Sequence, residues 1–201
     1  MEDIVFSTSL NPLYLYEAVQ DQMRSSFEKS KPSILLLTDF LTSRSYTSFA
    51  RVVESFKETK VDEPDRFSFD SLTIPQAYRA FFASPSFFDF VRNATGIKPR
   101  DVRLEARRFG HRNFTLLHDK QSSEERFMFI YTFAPSSWNP TSGGSLIFSY
   151  GNEREPLIFE PKANSLIVIK VPKNMREFVK YIDHTAGSKN LVYFIGEFLV
   201  R

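Results

Sequence analysis

The segment Phe127-Met-Phe-Ile-Tyr-Thr-Phe133 sets Phe127, Phe129, Tyr131 and Phe133 on one face of an extended strand and Met128 and Ile130 on the other. A strand that is apolar on both faces is covered on both, so this one belongs between two layers. Around it, short strand-like runs at 102–109, 114–117, 145–150, 157–159, 165–170, 178–182 and 191–199 are separated by turn residues. Asn139-Pro140 and Gly143-Gly144 mark one turn, and Gly151, Pro161, Pro172 and Gly187 fall between other runs. The strand pattern starts only after Pro99.

Residues 1–99 read differently. Asn11-Pro12 is a helix start with Asn as cap, and Leu15, Val19, Met23 and Phe27 follow at every fourth position. Phe49, Val52, Val53 and Phe56 return at helical spacing, and two more short helices begin at Pro75 and Pro85. Ser84 caps the second of these and Gly96 ends it. Ile34–Leu37 fits either a buried strand or a tight link, and Glu58–Phe69, charged and carrying Pro64, reads as a loop. The expected fold is mainly β with an α layer. It is a double-stranded β-helix, or jelly roll, of about eight strands with the N-terminal helices packed along one sheet. No repeat or linker divides the 201 residues, so one domain is expected over 1–201, with 1–99 mainly helical and 100–201 the main strands.

Composition narrows the function. The chain has 22 Phe, suited to packing between layers, and no cysteine, which removes disulfides, thiolate metal sites and a cysteine nucleophile together. The missing thiols are compatible with a reducing nucleus or cytoplasm, and no apolar run is long enough to span a bilayer. A formal net charge of +2 is too small to argue for nucleic acid. Arg103, Arg107, Arg108 and Arg112 lie near Phe109, as in single-strand binders, but Glu105 offsets part of their charge, and a solvated strand edge is the preferred reading. Ser142, Ser145 and Ser149 have no His in a motif-like relation, and Gly143-Gly144 lacks the Lys of a phosphate loop.

One stretch bears on metal chemistry. Two ligands offered to one ion from a strand must be separated by one residue, because alternate side chains share a face. In Leu104–Lys120, LEARRFGHRNFTLLHDK, the residue two beyond His118 is Lys120, a cation, while Asp119 points to the opposite face.

Several motifs in order carry a resemblance: Phe114-Thr-Leu-Leu-His118-Asp119, Trp138-Asn-Pro, Gly143-Gly144-Ser-Leu, Asn164-Ser-Leu and Phe178-Val-Lys-Tyr-Ile. So do Asn11-Pro-Leu-Tyr-Leu15, Phe27-Glu-Lys-Ser, Leu37-Thr-Asp-Phe-Leu41, Tyr78-Arg-Ala-Phe81 and Thr95-Gly96 in the first half. The layout resembles the C-terminal degradation domain of the eukaryotic two-domain 2-oxoglutarate and Fe(II)-dependent prolyl hydroxylases that modify a small-subunit ribosomal protein. The resemblance implies a fragment of a longer protein. Its N-terminal catalytic domain would hold Fe(II) and 2-oxoglutarate, while this degenerate barrel holds neither. In a fungal sterol- and oxygen-sensing branch, it implies a role in degrading a transcription factor released from a membrane.

The same alignment of motifs puts Glu177 where the second iron-binding His would stand, and the last strand, 191–199, has Glu197 in place of a cation for the cosubstrate's far carboxylate. The chain is therefore expected to be non-catalytic, a protein-interaction or regulatory domain whose partners are its own catalytic domain and a protein client. His118, Lys120, Trp138 and Glu177 mark a relic site or protein-binding groove, with Trp138 packing a loop onto the helical layer or, if exposed, serving as an anchor. The alternatives are an active Fe(II) hydroxylase using His118, Asp119 and His184, and a nucleic-acid binding module.

Overall fold

A computed structural model of the chain describes residues 6–116, 125–149, 155–173 and 175–200. In chain order the elements are α1 (Phe6–Ser9), α2 (Glu17–Lys29), β1 (Ile34–Leu37), α3 (Ser43–Val53), β2 (Glu58–Glu63), β3 (Phe67–Leu72), α4 (Gln76–Phe82) and α5 (Pro85–Thr95). They continue with β4 (Pro99–Phe109), β5 (Phe114–Thr115), β6 (Arg126–Phe133), β7 (Leu146–Ser149), β8 (Leu157–Phe159), β9 (Ser165–Val171), β10 (Arg176–Val179) and β11 (Leu191–Val200). The large sheet runs β1-β9-β6-β11-β4-β3-β2, with β5 against β3, and a small sheet runs β10-β7-β8. The architecture is the jelly roll, with helices on the outer face of the large sheet.

The alternation in β6 explains the layering. Phe129, Tyr131 and Phe133 face outward to the helices, where they join Phe40, Phe49, Phe82, Phe87, Phe194 and Phe198 in one core. Phe82 is fully buried and meets the rings of Phe129, Tyr131 and Phe194 at 5.1, 5.9 and 5.7 Å between centroids. Burial of one such ring is worth about 1.5–3 kcal/mol, and well-placed ring pairs add about 0.5–1.5 kcal/mol more. Met128 and Ile130 face inward to a second core closed by the small sheet, with Phe109, Phe148, Ile167, Val179 and Tyr193.

Helix ends follow local chemistry. The Ser84 side chain accepts a hydrogen bond from Phe87 N at 3.1 Å, Pro85 occupies the first turn, and Gly96 closes α5 at φ +77°. Thr42 caps α3 in the same way through Ser45 N. The start at Asn11 differs from the expected continuous helix. Asn11 caps a single 3-10 turn, Pro12–Leu15, and the chain is extended at Tyr16 before α2 begins. Leu15 is consequently exposed, and only Met23 and Phe27 are buried from that series. Pro75 precedes α4 as its N-cap residue.

Three further expectations change. The open alternative at Ile34–Leu37 is a strand, paired with β9. The supposed loop at Glu58–Phe69 is the hairpin β2–β3, turning through Asp65 at φ +68°, with Val61 opposite Phe69. Its charged residues suit an edge strand, which tolerates and is protected by them, and Arg108 pairs with Glu58 to fasten it. With β1, β2 and β3 added, the described residues contain eleven strands where about eight were expected, and the first half is not simply a helical layer.

Trp138 is also placed differently. It is buried in the core between the sheets, not against the helices, and its indole N–H donates to the Gly143 carbonyl at 3.3 Å.

Candidate functional site

Strand register decides which charges meet inside the barrel. Along β4 the even positions Leu104 and Ala106 face the helices, so Arg103, Glu105 and Arg107 face the small sheet. On β11, Glu197 lies opposite both Arg103 and Met128, and Arg107 lies opposite Tyr193. Arg126 enters from the start of β6 and Glu177 from β10 across the gap. Together these side chains line a cavity of about 510 Å³, with Phe67, Phe69, Met128 and Ile195 completing the wall.

Arg107 is held on two sides. Its guanidinium lies 4.9 Å from the centre of the Phe69 ring and contacts a Glu105 carboxylate oxygen at 2.5 Å. Despite this, among the described residues Arg107 Nε is buried without a hydrogen-bond partner, as are Arg126 Nε and Glu177 Oε2. Buried polar atoms are normally paired, and three without a described partner on residues that line one cavity depart from that rule. Burial raises the Glu177 carboxyl above the ordinary carboxylate range. Arg126 and then Arg107 pull it back down, while Glu105 and Glu197 push it further up.

The raised value has a consequence for stability. Between the ordinary carboxylate range and the raised one, the folded chain keeps a proton at Glu177 that the unfolded chain has lost. Stability from this group is therefore full in acid and is lost as pH rises through the folded value. Glu177→Gln should melt close to the parent in acid, where the carboxyl is protonated in both states, and progressively above it as pH rises out of the ordinary carboxylate range. A melting difference that does not change with pH would remove this account.

Of the four site residues expected from sequence, the structure places Glu177 in the cavity and Trp138 elsewhere, in the buried core and outside the cavity wall. His118 and Lys120, with Asp119, lie outside the described residues. His184 lies on a 3-10 turn after β10 and is not part of the cavity lining. Arg107 was misread. It stands where β4 is paired on both sides, by β11 and β3, and is half-buried, whereas Arg103 is exposed on a stretch of β4 that, among the described residues, pairs with β11 alone. Arg126 was not singled out at all, and only its position opening an inward-facing β6 could have pointed to it.

The cavity can be tested for fit to ferrous iron. The strand position that the resemblance assigns to the second His holds Glu177, and the charges that lower its carboxyl most are the guanidinium groups of Arg126 and then Arg107. Among the described residues no group of three or more His, Cys, Asp or Glu could hold a metal ion. A divalent cation would meet cations there, so the described lining does not fit it.

The comparisons with known proteins agree on family and fold. Residues 70–198 match the family model described as oxoglutarate and iron-dependent oxygenase degradation C-term. The prolyl 3-hydroxylase OGFOD1 of Xenopus laevis is 22% identical over 94% of this chain and 45% of its own length, and that of Mus musculus is 33% identical over 40% and 15%. The chain thus spans less than half the length of these curated relatives. Among solved structures, a Trichoplax adhaerens prolyl hydroxylase in complex with a hypoxia inducible factor peptide fragment superposes with TM-score 0.71 at 14% identity, covering 93% of this chain and 92% of that one. A Pseudomonas putida prolyl-4-hydroxylase superposes with TM-score 0.66 at 14% identity, covering 90% and 99%. With its fold shared by these oxygenases and most of its length matched by the family model, the chain belongs to the oxoglutarate and iron-dependent oxygenase degradation C-terminal domain family.

Proposed function

We propose that this chain is the non-catalytic protein-interaction and regulatory domain of a two-domain prolyl hydroxylase. Its partners are the catalytic domain of the same protein, which carries Fe(II) and 2-oxoglutarate, and a protein client. In this reading the client is a transcription factor whose oxygen-dependent degradation the domain promotes, in the nucleus or cytoplasm. Among the described residues no helix is long and apolar enough to cross a membrane. The observation that carries the proposal is that Glu177, at the position the resemblance assigns to an iron ligand, lines one cavity with Arg126 and Arg107.

Titration with Mn(II) and 2-oxoglutarate, following the melting temperature, tests this. A ligand at about 100 times its Kd stabilises by about 2.7 kcal/mol, which for a chain of this size is a rise of roughly 5–10 °C. No saturable shift is expected here. A saturable rise that needs both additions would establish the hydroxylase alternative. Nucleic acid is disfavoured by the same cavity, since Arg107 pairs with Glu105 and Glu197 lies opposite Arg103 in the strand register.

A further inference from the structure

The two sheets are finished differently on their outer faces. The large one carries the helices, whereas the small one alternates between side chains sent to the inner core and side chains sent to the surface. Leu146, Phe148, Val179, Leu157 and Phe159 point inward. Their neighbours Phe178, Ile147 and Ile158 belong to neither core. Strand register sets these three side by side, Phe178 opposite Ile147 and Ile147 opposite Ile158, so an apolar row crosses β10, β7 and β8. Phe178 and Ile147 are half-buried, and Ile158 is 58% exposed.

Charge borders this row unevenly. Lys180, two residues beyond Phe178, is exposed and shares its side of the strand. Its main-chain N donates to Ser145 O at 2.9 Å, so the pairing of β10 with β7 continues past the apolar row. One further step in the β7–β8 register brings exposed Glu160 opposite Ser145, at the other end of the same line. Lys180 and Glu160 thus stand at opposite edges of the face, two strand spacings or about 10 Å apart. Among the described residues neither has an ion-pair partner.

A face of one sign repels its own copy. This one is cationic at one edge, anionic at the other and apolar between, which makes it complementary to itself. A two-fold axis parallel to the strands and over Ile147 lays β10 of one copy above β8 of the other. The lines stay in step, so Ile147 meets Ile147, Phe178 meets Ile158 and Lys180 meets Glu160, the last two contacts each made twice. Sheets pack face to face about 10 Å apart, a gap that a lysine and a glutamate side chain span together.

We propose that the outer face of the small sheet is a self-association surface, on which a second copy of this chain docks about that axis through the row Phe178, Ile147 and Ile158. Three short strands offer less than the roughly 800 Å² per partner of a standard interface, so the dimer is a transient one. The proposal is independent of the function proposed above, because it uses this surface and not the cavity.

The test is sedimentation equilibrium of the full 201-residue chain at about 50 mM salt, from about 10 µM to about 1 mM protein. The mean mass should rise with concentration towards that of a dimer. Ile158→Asp, a change at an exposed position, should weaken association at least about 10-fold by placing an unpaired charge in the apolar row. Lys180→Glu and Glu160→Lys should each weaken it about 10-fold, and an equimolar mixture of the two variants should regain the parent's affinity, since each copy then supplies the charge the other lacks. A misfolded variant could not regain it.

A mass that stays monomeric over the whole range overturns the proposal and leaves the face to a different protein. Association that Ile158→Asp does not change overturns it as well, because the copies would then meet elsewhere. A mixture that associates no better than either variant alone overturns the two-fold arrangement.

Discussion

Asn164→Ala should lower the stability of the chain by about 3–5 kcal/mol, a loss of roughly 10 °C or more in melting temperature. The Asn164 side chain is buried and bridges two parts of the chain far apart in sequence. Its Oδ1 accepts from Leu41 N at 2.9 Å and from the Tyr131 hydroxyl at 2.7 Å, and its Nδ2 donates to Leu41 O at 2.8 Å. Ala would leave three buried polar groups unmatched, each costing about 1–3 kcal/mol before relaxation. It would also place a methyl-bearing residue at φ +54°, a left-handed conformation that Asn tolerates better than Ala. Tyr131→Phe removes only one of these bonds and should cost about 1 kcal/mol. Urea denaturation of both variants checks the claim, and a loss below about 1 kcal/mol in Asn164→Ala would mean the bridge is dispensable.

Gly143→Ala should be as damaging, at roughly 3–5 kcal/mol, through backbone geometry in place of hydrogen bonding. Gly143 has φ +94° and ψ −156°, a region essentially restricted to glycine. An added Cβ would overlap the carbonyl oxygen of Tyr181, which is main chain and cannot swing aside. This turn is stitched to the segment after β10. Gly144 N donates to Lys180 O at 3.0 Å, Lys180 N to Ser145 O at 2.9 Å, and Asp183 N to Ser142 O at 3.0 Å. Displacing it would loosen the small sheet that carries Glu177. Trp138, the chain's single tryptophan, donates to Gly143 O and so reports on the event. Its emission should shift to the red in the variant at a lower urea concentration than in the parent. Coincident transitions would show that the turn accommodates a side chain.

What could be read from sequence was what is decided locally or by strict period. Ser84, Pro85 and Gly96 delimit α5 because capping depends on residues within one turn, and the ring alternation in β6 announced a strand covered on both faces. Glu177 was named from the order of motifs the resemblance supplied, and the structure places it in the cavity lining. The hairpin β2–β3 was missed because Glu58, Lys60, Asp62 and Glu63 have weak strand preference, and only pairing with a neighbour already in the sheet makes them extended. Arg107 was misplaced for a different reason. A period of two says that Arg103 and Arg107 share a face, but not whether that face looks at water or at a second sheet. Trp138 was assigned to the wrong layer because a lone tryptophan between prolines signals burial without saying against what.

The large sheet has a ring-filled outer side and a charged inner mouth, and these two surfaces are answerable to different pressures. The outer core holds Phe82, Phe129 and Phe194 and none of the charged residues of the mouth, so a change of charge there leaves those ring contacts in place. A lineage with this division of labour could retire one chemistry and take up another in the same hollow, without ever passing through an unfolded ancestor.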